Sequence, residues 1–116
     1  MSMEPVEREI IYYTDQKGKT PFKEFFLSLK DGKTRERIYN RVLRASKGNF
    51  GDHRNFPGGI VELREHFGPG YRIYCGLDGT RFVVVLCGGS KTPQQKDIEI
   101  STVLWIEYLK YREPGV

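Results

Sequence analysis

The chain is poor in the residues that several function classes require. It holds two cysteines, two histidines and one tryptophan among 116 residues. Cys75 and Cys87 lie in separate strand-like runs, and with two histidines besides, no zinc-type ligand spacing appears. No metal or cofactor is therefore expected. No apolar run is long enough to span a bilayer. The longest, Phe82 to Cys87, reads as a strand. Met1-Ser2-Met3-Glu4-Pro5 has neither a basic nor an apolar segment, so no signal peptide is expected. Two thiols without such a signal point to a reducing cytoplasm and to inert buried sulfhydryls. Linkers, repeats and low-complexity tracts are missing too, which leaves a single domain over residues 1–116.

Positive charge is in better supply. The net charge is +4 and the isoelectric point about 9.1. Its distribution says more than its sum. Six basic residues, Lys33, Arg35, Arg37, Arg41, Arg44 and Lys47, crowd one segment with a single acidic residue, Glu36. On a helix, Lys33, Arg37, Arg41 and Arg44 share about a third of the circumference. Such a stripe is either a solvated face or a phosphate-binding surface.

The pattern of elements predicts an α+β sandwich in the order β-α-α-β-β-β-α, with a small antiparallel sheet. Arg8 to Thr14 is β-branched and aromatic and reads as a strand. Thr20-Pro21 reads as a cap followed by proline at the first helical position. Phe22, Phe25, Phe26 and Leu29 then make one apolar face. Asp31-Gly32 starts a second helix, which runs to about Ser46 with Ile38, Val42 and Ala45 inward. Residues 48–59 read as a loop. Strands follow over Ile60–His66, Tyr71–Leu77 and Thr80–Cys87. Asp78-Gly79 is a two-residue hairpin signal. Thr92-Pro93 opens a last helix whose Ile100, Val103, Leu104, Trp105 and Tyr108 are expected in the core.

Alternation along the strands assigns their faces. With a two-residue hairpin loop, Tyr71, Ile73, Cys75, Phe82, Val84 and Leu86 pack inward. Arg72, Tyr74, Arg81, Val83 and Val85 face outward. In the preceding strand Val61 and Leu63 point in, and Glu62, Arg64 and His66 point out. Arg64 and Arg72 are then cross-strand neighbours on an open face. Two adjacent guanidiniums repel, so the pair needs a polyanion or compensation, and Glu62 offers part of the latter. A phosphodiester meets the need, because arginine grips phosphate oxygens bidentately.

This face suits metal-independent RNA cleavage by the substrate's own 2′-hydroxyl. Arg64 and Arg72 would stabilise charge on the phosphorane. Lys91 would add charge or assist proton transfer. His66 is the titratable group near neutral pH. Tyr74 would stack on a base or donate a proton.

The segment GGIVELREHFGPGYRIYCGLDG from Gly58, followed by VVLCGGSKTPQQKDI, resembles the HigB-like "addiction module killer" branch of the RelE/ParE toxin superfamily. The most specific pieces are Glu62-Leu63-Arg64, the stretch from His66 to Tyr74, and Gly88-Gly89-Ser90-Lys91 with Lys96-Asp97-Ile98 after it. The resemblance implies a RelE-like fold and a ribosome-dependent messenger-RNA endonuclease that inhibits translation. It also implies a cognate antitoxin, of helix-turn-helix type, as partner. It assigns function to Arg64, Arg72 and Lys91. Arg54 stands where relatives often carry lysine, and Ser90 where they often carry an acidic residue. Lys33, Arg37, Arg41, Arg44 and Arg54 would contact RNA. Part of the last helix, or the groove beside the first two, is left for the antitoxin. The alternatives are a ParE-like protein that binds gyrase without nuclease activity, and a non-catalytic descendant of the same fold.

Overall fold

A computed structural model describes residues 5–92 and 94–112. In chain order the elements are β1 (Glu9–Tyr12), α1 (Pro21–Ser28), α2 (Gly32–Ser46), β2 (His53–Phe56), β3 (Ile60–Glu65), β4 (Tyr71–Asp78), β5 (Phe82–Ser90) and α3 (Gln94–Tyr111). Among the described residues, three helices enclose one five-stranded sheet of order β1-β5-β4-β3-β2. The α+β class is as expected. Two features of the sheet differ from expectation. Residues expected to be loop include β2, which pairs antiparallel with β3. β1 lies parallel to β5, so the sheet is mixed and not purely antiparallel.

The first two helices follow the reading closely. Pro21 opens α1 with Thr20 before it, although the Thr20 side chain makes no capping bond and meets Thr14 Oγ1 at 2.8 Å instead. Asp31 caps α2 by accepting from the Lys33 amide. Ile38, Val42 and Ala45 are buried against Val61, Leu63, Ile73, Cys75, Val83 and Val85. Phe22 and Leu29 of the α1 segment join the same core, with Phe25 and Phe26 at its margin. The Pro93 part of the expected α3 start lies outside the described residues.

The hairpin between β4 and β5 corrects the face assignment. Asp78 pairs with Phe82, so the loop is three residues, Gly79-Thr80-Arg81, and not the two of Asp78-Gly79. Gly79 has a positive φ of 56°, whereas Asp78 does not, and a type I′ turn needs both. Asp78 is occupied elsewhere: its carboxylate accepts from Tyr108 Oη at 2.8 Å and pairs with Arg112. Leu77 therefore pairs with Val83 and not with Thr80, and this odd shift in register reverses every side chain of β5. Val83 and Val85 therefore face α1 and α2, while Phe82, Val84 and Leu86 face α3. A bulge between Tyr74 and Cys75 then puts both Leu86 and Cys87 on the α3 side.

The supposedly open face of the sheet is covered as well. Ile60, Tyr74, Phe82, Val84, Leu86, Cys87 and Trp105 form a second core beneath α3. Trp105 lies flat over Gly76, where any Cβ would collide with the indole ring. Its Nε1 donates to the Gly58 carbonyl at 2.7 Å, and it stacks on Tyr108 at 5.3 Å and 6°. Only part of the apolar content of α3 is core: Val103 and Ile106 are each 60% exposed.

Candidate functional site

Arg64 of β3 and Arg72 of β4 are direct cross-strand partners, as their parity predicts. Their compensation is Glu62, which is fully buried. Its Oε1 accepts from Arg64 Nε at 2.9 Å and lies 3.6 Å from Arg72 Nε. Its Oε2 accepts from Tyr74 Oη and from Gln94 Nε2, both at 2.9 Å. Burial works against the Glu62 charge. The hydrogen bonds from Gln94, Arg64 and Tyr74 outweigh it and hold the carboxyl below the usual carboxylate range.

The two arginines are unequal. The Arg64 side chain keeps 28% of its surface in solvent and Arg72 only 7%. Arg72 Nε is buried and has no hydrogen-bond partner among the described residues. A guanidinium so placed is costly unless an anion completes its shell. Arg64 is thus the reachable member, and Arg72 stands behind it with donor capacity unused.

Tyr74 is not the exposed base-stacking residue expected. It is completely buried, and burial together with its bond to Glu62 pushes its phenol well above the ordinary range. It is a strut beneath Glu62, because the face that carries it is roofed by α3.

Gly88 and Gly89 explain themselves by contact. A Cβ on Gly88 would meet the Phe25 ring, and one on Gly89 would meet the Asp97 carboxylate. Gly89 pairs with Arg72 across β4–β5, so the double glycine lets α1 and the start of α3 close on the arginine strand from opposite sides. Asp97 Oδ2 is buried and unpartnered among the described residues. Burial raises the Asp97 carboxyl above its ordinary value, with Lys96 opposing.

Beside the arginines, His66 Nε2 pairs with Asp52 Oδ2. Both side chains are more than half exposed. The hydrogen bond from His66 holds the Asp52 carboxyl low, and the charges of Arg64 and Arg72 act in the same direction. This imidazole, oriented by a carboxylate at the edge of an arginine pair, is open to solvent. Lys91 is exposed and its amide donates to the Gly70 carbonyl at 3.0 Å, which ties the loop after β5 to the β3–β4 turn. Arg54 pairs with Glu62 across β2–β3, is exposed, and lies over the Phe56 ring at 4.8 Å.

The helical stripe divides. Lys33, Arg37 and Arg44 are exposed. Arg41 is not: only 2% of its surface is open. Its Nη2 donates to the carbonyls of Phe50 and Asp52, its Nε donates to that of Arg64, and it pairs with Glu65 at 3.1 Å. Arg41 therefore fastens α2 to β3 and to the turn carrying Asp52, and it has no surface left for RNA. It lies at the core-facing edge of the stripe, beside Ile38 and Val42. Arg44 shares Glu65 at 3.0 Å, and Arg37 lies 4.2 Å over the Phe67 ring.

Glu62 was legible in the sequence only as a charge offset, Asp52 carried no signal, and Gln94 and Asp97 stood only within the segment that carries the resemblance, with no role attached. Each acts through a partner distant in sequence, which alternation and spacing do not reveal. Among the described residues no cluster of three or more His, Cys, Asp or Glu could hold a metal ion. No described helix is long and apolar enough to cross a membrane. A groove of about 430 Å³ does lie beside α1 and α2, lined by Tyr12, Phe22, Phe26 and Tyr39 among others.

No family model matches the chain. It is similar to a protein of Haemophilus influenzae (strain ATCC 51907 / DSM 11121 / KW20 / Rd) whose description is "Uncharacterized protein". The two are 39% identical over 83 residues, which cover 72% of this chain and 84% of the Haemophilus one.

Proposed function

We propose that this chain, which belongs to the same family as the Haemophilus influenzae protein, is the toxin of a toxin–antitoxin pair. In this reading it has a RelE-like fold and cleaves messenger RNA on the ribosome in the cytoplasm. A cognate antitoxin restrains it. The observation that carries the reading is the cross-strand Arg64–Arg72 pair, balanced by one buried carboxylate, with Arg72 Nε in ion-pair range of Glu62 but without a hydrogen bond among the described residues.

The chemistry follows from that arrangement. The 2′-hydroxyl of the substrate attacks the adjacent phosphorus and loses its proton. The bond to the 5′-oxygen breaks, and that oxygen takes up a proton. The products are a cyclic phosphate and a free 5′-hydroxyl. Arg64, reachable and aligned by Glu62, neutralises the phosphorane oxygens. Arg72 adds positive potential from behind. His66, oriented by Asp52, is the candidate for proton movement, and Lys91 approaches the same edge. Tyr74 acts through Glu62 and does not touch the substrate. Lys33, Arg37, Arg44 and Arg54 are exposed cations that meet ribosomal or messenger phosphates in this reading.

The test is induced expression followed by primer extension on a messenger RNA. Wild type is expected to produce new RNA 5′ ends. Arg64→Lys, which keeps a charge beside Glu62 but loses the planar fork, is expected to abolish most of them. Growth arrest without new ends, unchanged by Arg64→Lys, would sink the nuclease reading and favour a gyrase-binding toxin.

A further inference from the structure

The outer surface of α3 carries aliphatic residues that no other described residue covers. Ile100 is 39% exposed, Val103 and Ile106 are each 60%, and Leu109 is 37%. Val103 and Ile106 point outward, about 60° apart on a helical wheel, while Ile100 and Leu109 lie on the two flanks, about 180° apart. The opposite side of α3 is the one pressed on the sheet, through Ser101 and Trp105. An exposed run of aliphatics on one helix is a contact surface in search of a partner.

The outward face centred on Val103 and Ile106 is self-complementary. About a point midway between Leu104 and Trp105, Val103 maps onto Ile106 and Ile100 onto Leu109. The charged residues obey the same symmetry, since Glu99 maps onto Lys110. On a helical wheel Glu99 and Lys110 lie within about 20° of one another, on the outward side between Val103 and Ile106. Neither makes an ion pair among the described residues. Glu99 accepts only a 3.4 Å bond from Gln95, and Lys110 lies 5.3 Å over the Tyr111 ring.

We infer that α3 is a homodimer interface, in which two copies pack this face antiparallel about a two-fold axis. A two-fold axis brings each residue against its symmetry counterpart. Val103 then packs on Ile106 of the second copy, and Ile100 and Leu109 line opposite flanks of the contact. Glu99 meets Lys110 twice, once at each end of the contact. A parallel pairing would instead set Glu99 against Glu99 and Lys110 against Lys110. The charges thus select both the occupant and its direction. Gln94, which reaches Glu62, is on the inner side of α3, so both arginine sites stay open in the dimer. The inference is independent of the nuclease reading.

Sedimentation velocity on the full-length chain over a concentration series tests it. The wild type is expected to associate to a dimer. Glu99→Lys alone and Lys110→Glu alone should each weaken dimerisation by roughly tenfold or more, because each creates two like-charge contacts. The double variant, Glu99→Lys with Lys110→Glu, should restore it. Both positions are exposed, so circular dichroism should report the wild-type fold for all three variants. A second variant, Val103→Cys with Ile106→Cys, should form an intermolecular disulfide on mild oxidation, since Cys75 and Cys87 are buried. A monomer at every concentration would overturn the inference. So would a dimer indifferent to the single charge reversals, or one that the double reversal does not rescue.

Discussion

Glu62 is the residue on which the arginine pair depends. It is the negative charge between two cations, and four donors or cations converge on its two oxygens. Removing one member of a buried ion cluster leaves the others uncompensated, at a cost of about 3–5 kcal/mol. Glu62→Gln is therefore expected to lower the unfolding free energy, measured by urea denaturation, by an amount in that range. The pH dependence has a definite sign. The Glu62 carboxyl is held below its ordinary value in the fold. Its stabilisation is then fully present above the unfolded carboxylate pKa and is lost as pH falls through the lower, folded one. The gap between wild type and Glu62→Gln should be constant near neutrality and should close below about pH 4. A gap that widens in acid would remove Glu62 from this role. The two thiols show the opposite shift: burial pushes Cys75 and Cys87 up to about 12, which makes them inert packing groups.

At the level of elements, α3 is fixed to the sheet by one close approach. Gly76 in β4 leaves room for the Trp105 ring, and no Cβ can occupy that space. Gly76→Ala must push the indole outward and strain its bond to Gly58. The expected loss is about 1–3 kcal/mol, the usual cost of overpacking, with a change in tryptophan fluorescence. The control is Gly32→Ala in α2, where a Cβ meets nothing within 4 Å; it should leave stability unchanged or raise it slightly. The same docking explains the hairpin. Asp78 serves Tyr108 and Arg112 of the α3 segment and is not free to take the left-handed turn position that its sequence context favours.

For the whole molecule, the question is where positive charge can meet a polyanion. Arg37 and Arg44 are exposed, and Glu65 links Arg44 to the end of β3, one residue from Arg64. The stripe and the arginine pair thus adjoin at one edge. Arg41 belongs to the fold. If the proposed function holds, charge removal at Arg37 and Arg44 is expected to weaken ribosome binding and flatten its salt dependence, with no loss of stability. Arg41→Ala should behave differently. Loss of its hydrogen bonds to three carbonyls, and of its pairing with Glu65, should cost at least about 2 kcal/mol in urea denaturation. Equal stability of the three variants would show that Arg41 is not a structural clamp.

Much of this protein was determined by the sequence alone. Proline and capping residues placed α1 and α2, apolar spacing placed Ile38, Val42 and Ala45 inward, and alternation made Arg64 and Arg72 neighbours. Those features rest on local geometry, where periods of 2 and 3.6 translate directly into faces. The tertiary structure decided what depends on distant partners. Asp78 lengthened the hairpin by answering to α3, and that single residue reversed the faces of β5. α3 roofed the face that alternation left open, burying Tyr74. The carbonyls near Asp52 and the carboxylate of Glu65 drew Arg41 inward. The compensation of the arginine pair was decided in the same way. A lone carboxylate in β3 is an ordinary acidic residue until β4 and the start of α3 bring Tyr74, Arg72 and Gln94 around it.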